Sequence, residues 1–202
     1  TPEFKQRALA RASAVLGTEV RARSLDVSLT RGLTLGGLEI ANPRGFEGPL
    51  LVADAFVLRP RLLPLLRGRI EVRRLALEKP RLALAMNAKG AFNYEKLGGA
   101  GAPSAAPPVA LPLRFVLERL GVEDATVRVV DDRKATLLRL EGGQLQSRVE
   151  MAGGAFAGRG EARAATLDLM DMLFVRRVRT PIAISRDEVL LAPLRGEVAG
   201  GD

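Results

Sequence analysis

One spacing recurs along this chain and restricts what it can fold into: apolar residues at i, i+2, i+5 and i+7. In residues 70–84, IEVRRLALEKPRLAL, these are Ile70, Val72, Leu75 and Leu77, followed by Leu82 and Leu84. In residues 115–129, FVLERLGVEDATVRV, they are Phe115, Leu117, Leu120 and Val122, followed by Val127 and Val129; every position matches at an offset of 45, and Glu78 aligns with Glu123. An earlier copy, Leu33, Leu35, Leu38 and Ile40 with Pro43 behind it, matches the first at an offset of 37, and a partial fourth lies at Val189, Leu191 and Leu194. Period-two alternation between Gly, Pro, Asn and Asp signals a strand, and recurrence of one supersecondary unit argues for an elongated array of hairpins.

The step from i+2 to i+5 is the informative part. In an uninterrupted strand it would move the later side chains to the opposite face. A β-bulge at Gly36–Gly37, Arg73–Arg74 and Glu118–Arg119 restores the face, and repeated bulging curls a sheet over its apolar side. A corner at which the strands switch sheets is the alternative.

Other segments are read from period and composition. Phe4, Ala8, Leu9, Ala12, Val15 and Leu16 recur at three and four, opposite Lys5, Gln6, Arg7 and Arg11. This predicts an amphipathic helix over 1–16, with Pro2 and Glu3 in the first turn and Gly17 as cap, covering one end of a sheet. Residues 58–69, LRPRLLPLLRGR, suggest a short helical turn. The spacing of Leu167, Leu169, Leu173 and Val175 fits neither period cleanly, and helix is slightly favoured over a long strand for 166–179. Residues 98–112, GGAGAPSAAPPVALP, read as a mobile linker. The expected division is a helix at 1–16, a first β lobe at 17–97, the linker at 98–112, and a second β lobe at 113–202 that continues the same sheet.

Composition removes most chemistry. The 202 residues contain no His and no Cys, which takes away the usual general base, the commonest metal ligand, thiolate catalysis and disulfides. Six serines have no histidine to activate them. Glu123–Asp124 and Asp131–Asp132 flank a six-residue strand and are therefore about 20 Å apart, so they read as strand-end turns. The paired glycines form neither a dinucleotide fingerprint nor a P-loop. No enzyme activity, metal or cofactor is expected. The net charge of +8 is carried mostly by arginine, whose planar fork suits phosphate and carboxylate, in anionic lipid headgroups or nucleic acid. The eight aromatics are scattered, which argues against the stacking platforms of a single-strand reader and against nucleic acid as partner. No apolar run of about 20 residues is present.

Several stretches carry a further signal when taken in order. Gly17 is followed by RGLTLGGLEIANPRGF at 31–46, LLPLLRGRIEVRRLALEKPRLAL at 62–84, AKGAFNYEKLGG at 88–99, VLERLGVEDATVRVVDD at 116–132 and LLAPLRGEVAGG at 190–201. Gly90, Asn93 and Leu97 fall at the fixed positions of the third segment. This order resembles the N-terminal region of the AsmA family, relatives of the TamB-like and bridge-like lipid-transfer proteins. Tyr94 stands where the family often has Trp, Lys89 where it often has Asp, and residues 135–188 match only loosely.

The resemblance implies a curved, groove-forming β-sheet in the periplasm of a Gram-negative bacterium, held to the inner membrane by an N-terminal anchor outside this sequence. The role implied is lipid transport between inner and outer membrane, or outer-membrane assembly. The expected fold is mainly β (β-rich α+β): a curved, elongated antiparallel sheet of repeated hairpins with an apolar groove and an N-terminal amphipathic helix. The groove candidates are the repeat residues, Leu33, Leu35, Leu38, Ile40, Ile70, Val72, Leu75, Leu77, Leu82, Leu84, Phe115, Leu117, Leu120, Val122, Val127 and Val129. Lipid acyl chains are the expected partner, since they satisfy such a face by leaving water, at about 25 cal/mol per Å². The alternative is a structural or interaction module of a secretion or envelope-assembly machine, in which the apolar face is covered and a sheet edge takes a strand from an envelope protein.

Overall fold

The computed structural model describes residues 2–28, 31–61, 71–97, 114–152, 155–185 and 189–198. The segments expected as a short helical turn (58–69) and as a linker (98–112) lie largely or wholly outside these, as does Ile70. The described residues form one helix, α1 (Pro2–Leu16), and eleven strands: β1 (Val20–Ser28), β2 (Gly32–Ala41), β3 (Pro49–Pro60), β4 (Glu71–Glu78), β5 (Arg81–Ala85), β6 (Arg114–Val130), β7 (Thr136–Ala152), β8 (Ala155–Leu169), β9 (Leu173–Ser185), β10 (Val189–Leu191) and β11 (Arg195–Val198). All strands join a single sheet in the order β1-β2-β3-β4-β6-β7-β8-β9-β10, with β5 beside β3 and β6, and β11 beside β9. The protein is mainly β, as its alternation predicts.

The antiparallel ladder is interrupted once, because β4 and β5 run parallel to β6. The offset of 45 is the register of this parallel junction: Val72 lies beside Leu117, Leu75 beside Leu120, Leu77 beside Val122, and Glu78 beside Glu123. Leu82 continues it beside Val127, and Leu84 beside Val129. The copy in β2 behaves differently, since β2 is antiparallel to β3 and β3 to β4. Leu35 therefore stands in the row of Leu77, and not in that of its sequence equivalent Val72.

The helix expected for 166–179 is instead two strands and a turn. Met170 and Asp171 have φ of 54° and 55°, Met172 donates its N–H to the Leu169 carbonyl at 3.0 Å, and Asp171 donates to the Asp168 carboxylate at 3.1 Å. Leu167–Val175 and Leu169–Leu173 pair across this hairpin. The mixed spacing arises because two alternating strands are separated by a three-residue turn that breaks their phase.

Bulges hold the apolar residues to one side. Leu117 and Leu120 span three residues of β6 opposite the two-residue step from Val149 to Ser147 in β7. Arg73–Arg74 of β4 is likewise expanded against β3. Consequently Val72, Leu117 and Val149 form one buried cluster with Leu58, Leu75 and Leu120 packed on it. At Gly36–Gly37 the device differs. Pairing to both neighbours keeps step, and Gly37 turns left-handed at φ 61°. At the same level of the sheet stand Lys79 (φ 46°), Asp124 (φ 56°), Gly142 (φ 62°) and Arg177 (φ 52°). A crease of left-handed residues thus crosses the sheet, and it splits one long strand into β4 and β5 at Lys79–Pro80.

Helix α1 closes the β1 edge. Leu9, Ala12 and Leu16, on one helical face, pack against buried Val20, Leu38 and Ala53. The Lys5 ammonium donates to the Arg23 carbonyl at 2.8 Å, and the Val20 N–H donates to the Ser13 hydroxyl at 2.8 Å. Gly17 ends the helix at φ 68°. At the opposite edge β9 carries two short strands. Between them Pro181 has no N–H to give, and the Thr180 hydroxyl donates instead to the Ala192 carbonyl at 2.8 Å.

Asn93 ties the β2–β3 loop to β5. It is fully buried and begins the 3₁₀ turn Asn93–Lys96. Its amide accepts from the Ala85 N–H at 3.2 Å and donates to the Ala83 carbonyl and the Asn42 side chain, both at 2.8 Å. Asn42 in turn donates to the Glu47 carbonyl at 2.8 Å. The Asn93 side chain completes the edge of β5 beyond its short pairing with β3.

Two outcomes follow. Asn93→Ala removes the side-chain partner of the Ala85 N–H, the Ala83 carbonyl and Asn42 and is expected to cost about 2 kcal/mol, read as a lower urea midpoint with unchanged slope. Leu16→Asp is expected to unseat α1, so that hydrogen exchange of the Val20 amide accelerates while β7–β8 amides stay protected. Equal acceleration in both places would contradict the edge-covering role.

Candidate functional site: an apolar sheet face

Cross-strand pairing joins the predicted residues into rows that run from strand to strand. One row is Leu25, Leu35, Phe56, Leu77, Val122, Leu145 and Ala162. A second is Val27, Leu33, Leu58, Leu75, Leu120 and Ser147, and on the far side of the crease a third is Val20, Ile40, Leu51, Leu82, Val127, Leu140, Leu167 and Val175. Leu84 and Val129 start a shorter fourth with Leu138. Directly paired residues share a face, and packing of Phe56, Leu77 and Ile40 onto Val20, Leu38 and Ala53 joins the two sides of the crease.

Of the sixteen candidates, Leu38, Val72 and Leu117 are buried, at 8%, 6% and 6% exposure. Leu33, Leu35, Ile40, Leu75, Leu77, Leu82, Leu84, Leu120, Val122, Val127 and Val129 are each half-buried. Phe115 lies in β6 beside Met151 of β7. The structure also enrols strands the repeat did not single out. Val20, Ala22, Leu25 and Val27 of β1 follow the same i, i+2, i+5, i+7 spacing, as do Leu51, Ala53, Phe56 and Leu58 of β3 and Leu173, Val175, Val178 and Thr180 of β9. The signal was present in these strands, but Ala and Thr at single positions weaken it.

The face is shut at one end and open at the other. Helix α1 seals it at β1, whereas at the last strands Leu191 is 64% exposed and Val198 is 63% exposed. These two pair with Ile182 and Val175 of β9, so the apolar rows run out into solvent there. No second sheet packs on the first among the described residues.

The acidic groups serve structure. Glu123 is ion-paired to Arg74, and the Asp131 carboxylate accepts from the Arg133 and Ala135 N–H groups at 2.9 and 2.8 Å in the β6–β7 turn. Glu161, on the other face of β8, is held below the usual carboxylate range by its hydrogen bond to Arg163. Among the described residues there is no acidic cluster able to hold a metal and no helix long and apolar enough to cross a membrane.

No curated protein matches the chain. The sequence profile of the AsmA family matches residues 29–188, from the end of β1 to the β9–β10 connection. That family is envelope-associated, generally non-enzymatic and implicated in lipid transport. With its order of motifs, its single bulged sheet and a family match over most of its length, this chain belongs to the AsmA family.

Proposed function

We propose that the apolar face is a lipid-binding groove, taking acyl chains in passage between inner and outer membrane or during outer-membrane assembly. The protein would act in the periplasm, tethered to the inner membrane. The observation that carries this reading is the set of apolar rows itself, whose half-buried members cross the sheet under no cover other than α1 among the described residues. The longest row crosses eight strands, and seven spacings of about 4.8 Å make it about 34 Å long. Acyl chains need no recognition residues to bind there, and the chain's lack of His and Cys is no handicap to such a task. The sixteen repeat residues are the proposed lining, with Leu51, Phe56, Leu58, Leu140 and Leu145 added to them.

A second reading has its own observation. Leu190, Leu191, Leu194 and Val198 are all at least half exposed along the β10–β11 edge, which suits addition of a strand from an envelope partner. The two readings differ in what happens at the groove.

The experiment is native mass spectrometry of gently purified protein, together with melting of Leu75→Asp and Leu120→Asp. A groove leaves room for each carboxylate at its mouth, so the variants are expected to fold, with their melting temperatures lowered by only a few degrees, and to lose co-purified lipid. In a sealed core either carboxylate would cost several kcal/mol and unfold the chain. Unfolded variants, or folded ones with unchanged lipid, contradict the groove.

A further inference from the structure

The opposite face of the same strands carries a second feature, behind Leu120 and Ser147 of the second apolar row. A cleft of about 510 Å³ opens where β4, β6, β7 and β8 meet, lined by Arg74, Arg119, Arg148, Arg159, Glu118 and Glu123 among others. The bulge at Glu118–Arg119 brings two consecutive side chains to this cleft, where a regular strand would bring one. Both acids are already engaged: Glu118 is paired to Arg61 at 2.7 Å and Glu123 to Arg74. Arg119, Arg148 and Arg159 have no acidic partner among the described residues. Arg148 and Arg159 are also directly opposite in the β7–β8 ladder, with Cα atoms about 5 Å apart. Like charges so placed repel, and a bound anion would remove that repulsion.

We infer that this cleft binds a phosphate-bearing anion, held by the guanidinium groups of Arg119, Arg148 and Arg159. Phosphate fits better than carboxylate on charge and on shape. Three cations lining one cleft match a multiply charged group, and each planar fork can donate two parallel hydrogen bonds to phosphate oxygens. The volume falls within the range of small-molecule sites. The phosphate could be that of a lipid headgroup or of a soluble ester, and the ligand would sit across the sheet from any acyl chain in the groove.

Calorimetric titration of the whole chain with inorganic pyrophosphate tests the site. Saturable binding is expected, weakened at least roughly tenfold in Arg148→Gln/Arg159→Gln by loss of charge-assisted hydrogen bonds. The melting temperature of this variant without anion is expected to be unchanged or raised, because a repulsive pair is gone. Arg7→Gln/Arg11→Gln on α1 makes the same change in net charge and is expected to bind as the parent does. Absence of saturable binding, or equal weakening in both variants, overturns the inference. Sedimentation with phosphatidylglycerol vesicles identifies the source. Vesicle binding lost specifically in Arg148→Gln/Arg159→Gln assigns the phosphate to a headgroup. Pyrophosphate binding without such a vesicle effect assigns it to a soluble ester.

Discussion

The long strands of this protein must keep their large apolar side chains on one side of the sheet through a step of three residues, and the rest of the architecture depends on how that is done. The left-handed residues Gly37, Lys79, Asp124, Gly142 and Arg177 align across the sheet, so neighbouring strands bend at one level and pairing continues past them. Only two of the five are glycine. A non-glycine residue in this region carries a steric cost, which the surrounding ladder must over-determine. The cost is lowest at Asp124, whose residue type tolerates this conformation, and Gly142 needs its missing Cβ for a second reason. A Cβ there would lie 2.8 Å from that of Ala165 on β8. Without the crease, Leu35 and Leu38 would point to opposite faces and no continuous apolar surface would exist.

Much of this was legible in the sequence, and the failures have physical causes. The spacing i, i+2, i+5, i+7 identified strands and bulges, and the offset of 45 proved to be a parallel register. The bulges at Arg73–Arg74 and Glu118–Arg119 were placed from spacing alone. Periodicity carries no strand direction, however, so the β2 copy at an offset of 37 was aligned in sequence with residues it does not face in space. The strand–turn–strand over 166–179 was obscured because Met170 is an unusual residue at positive φ, and Met170–Asp171 does not announce a hairpin as Asn-Gly would. Asn93 was recognised as part of a motif; its burial and its link to Asn42, 51 residues away, appear only once β5 is seen to lack a full-length neighbour.

The two faces of the sheet divide the chemistry of the chain. Alternation places most Leu and Val on one side, where no charge interrupts the rows, and sends arginine and glutamate to the other, together with Val52 and Val57. A bulge contributes to both at once: Glu118–Arg119 keeps Leu117 and Leu120 together within the apolar face and concentrates charge behind them. One local distortion of β6 thereby sets the character of both surfaces.

The covered β1 edge also bears on how molecules can join. Strand addition that propagates from copy to copy needs two free edges on each subunit, one to give and one to receive. Here two backbone groups of the first edge, the Val20 N–H and the Arg23 carbonyl, are taken by the Ser13 and Lys5 side chains of α1. A strand arriving at that end of β1 would have to displace α1 from these groups, so strand addition there competes with the helix. A sheet edge is ordinarily an aggregation hazard, and an edge helix that bonds to the strand's outward groups lowers it locally.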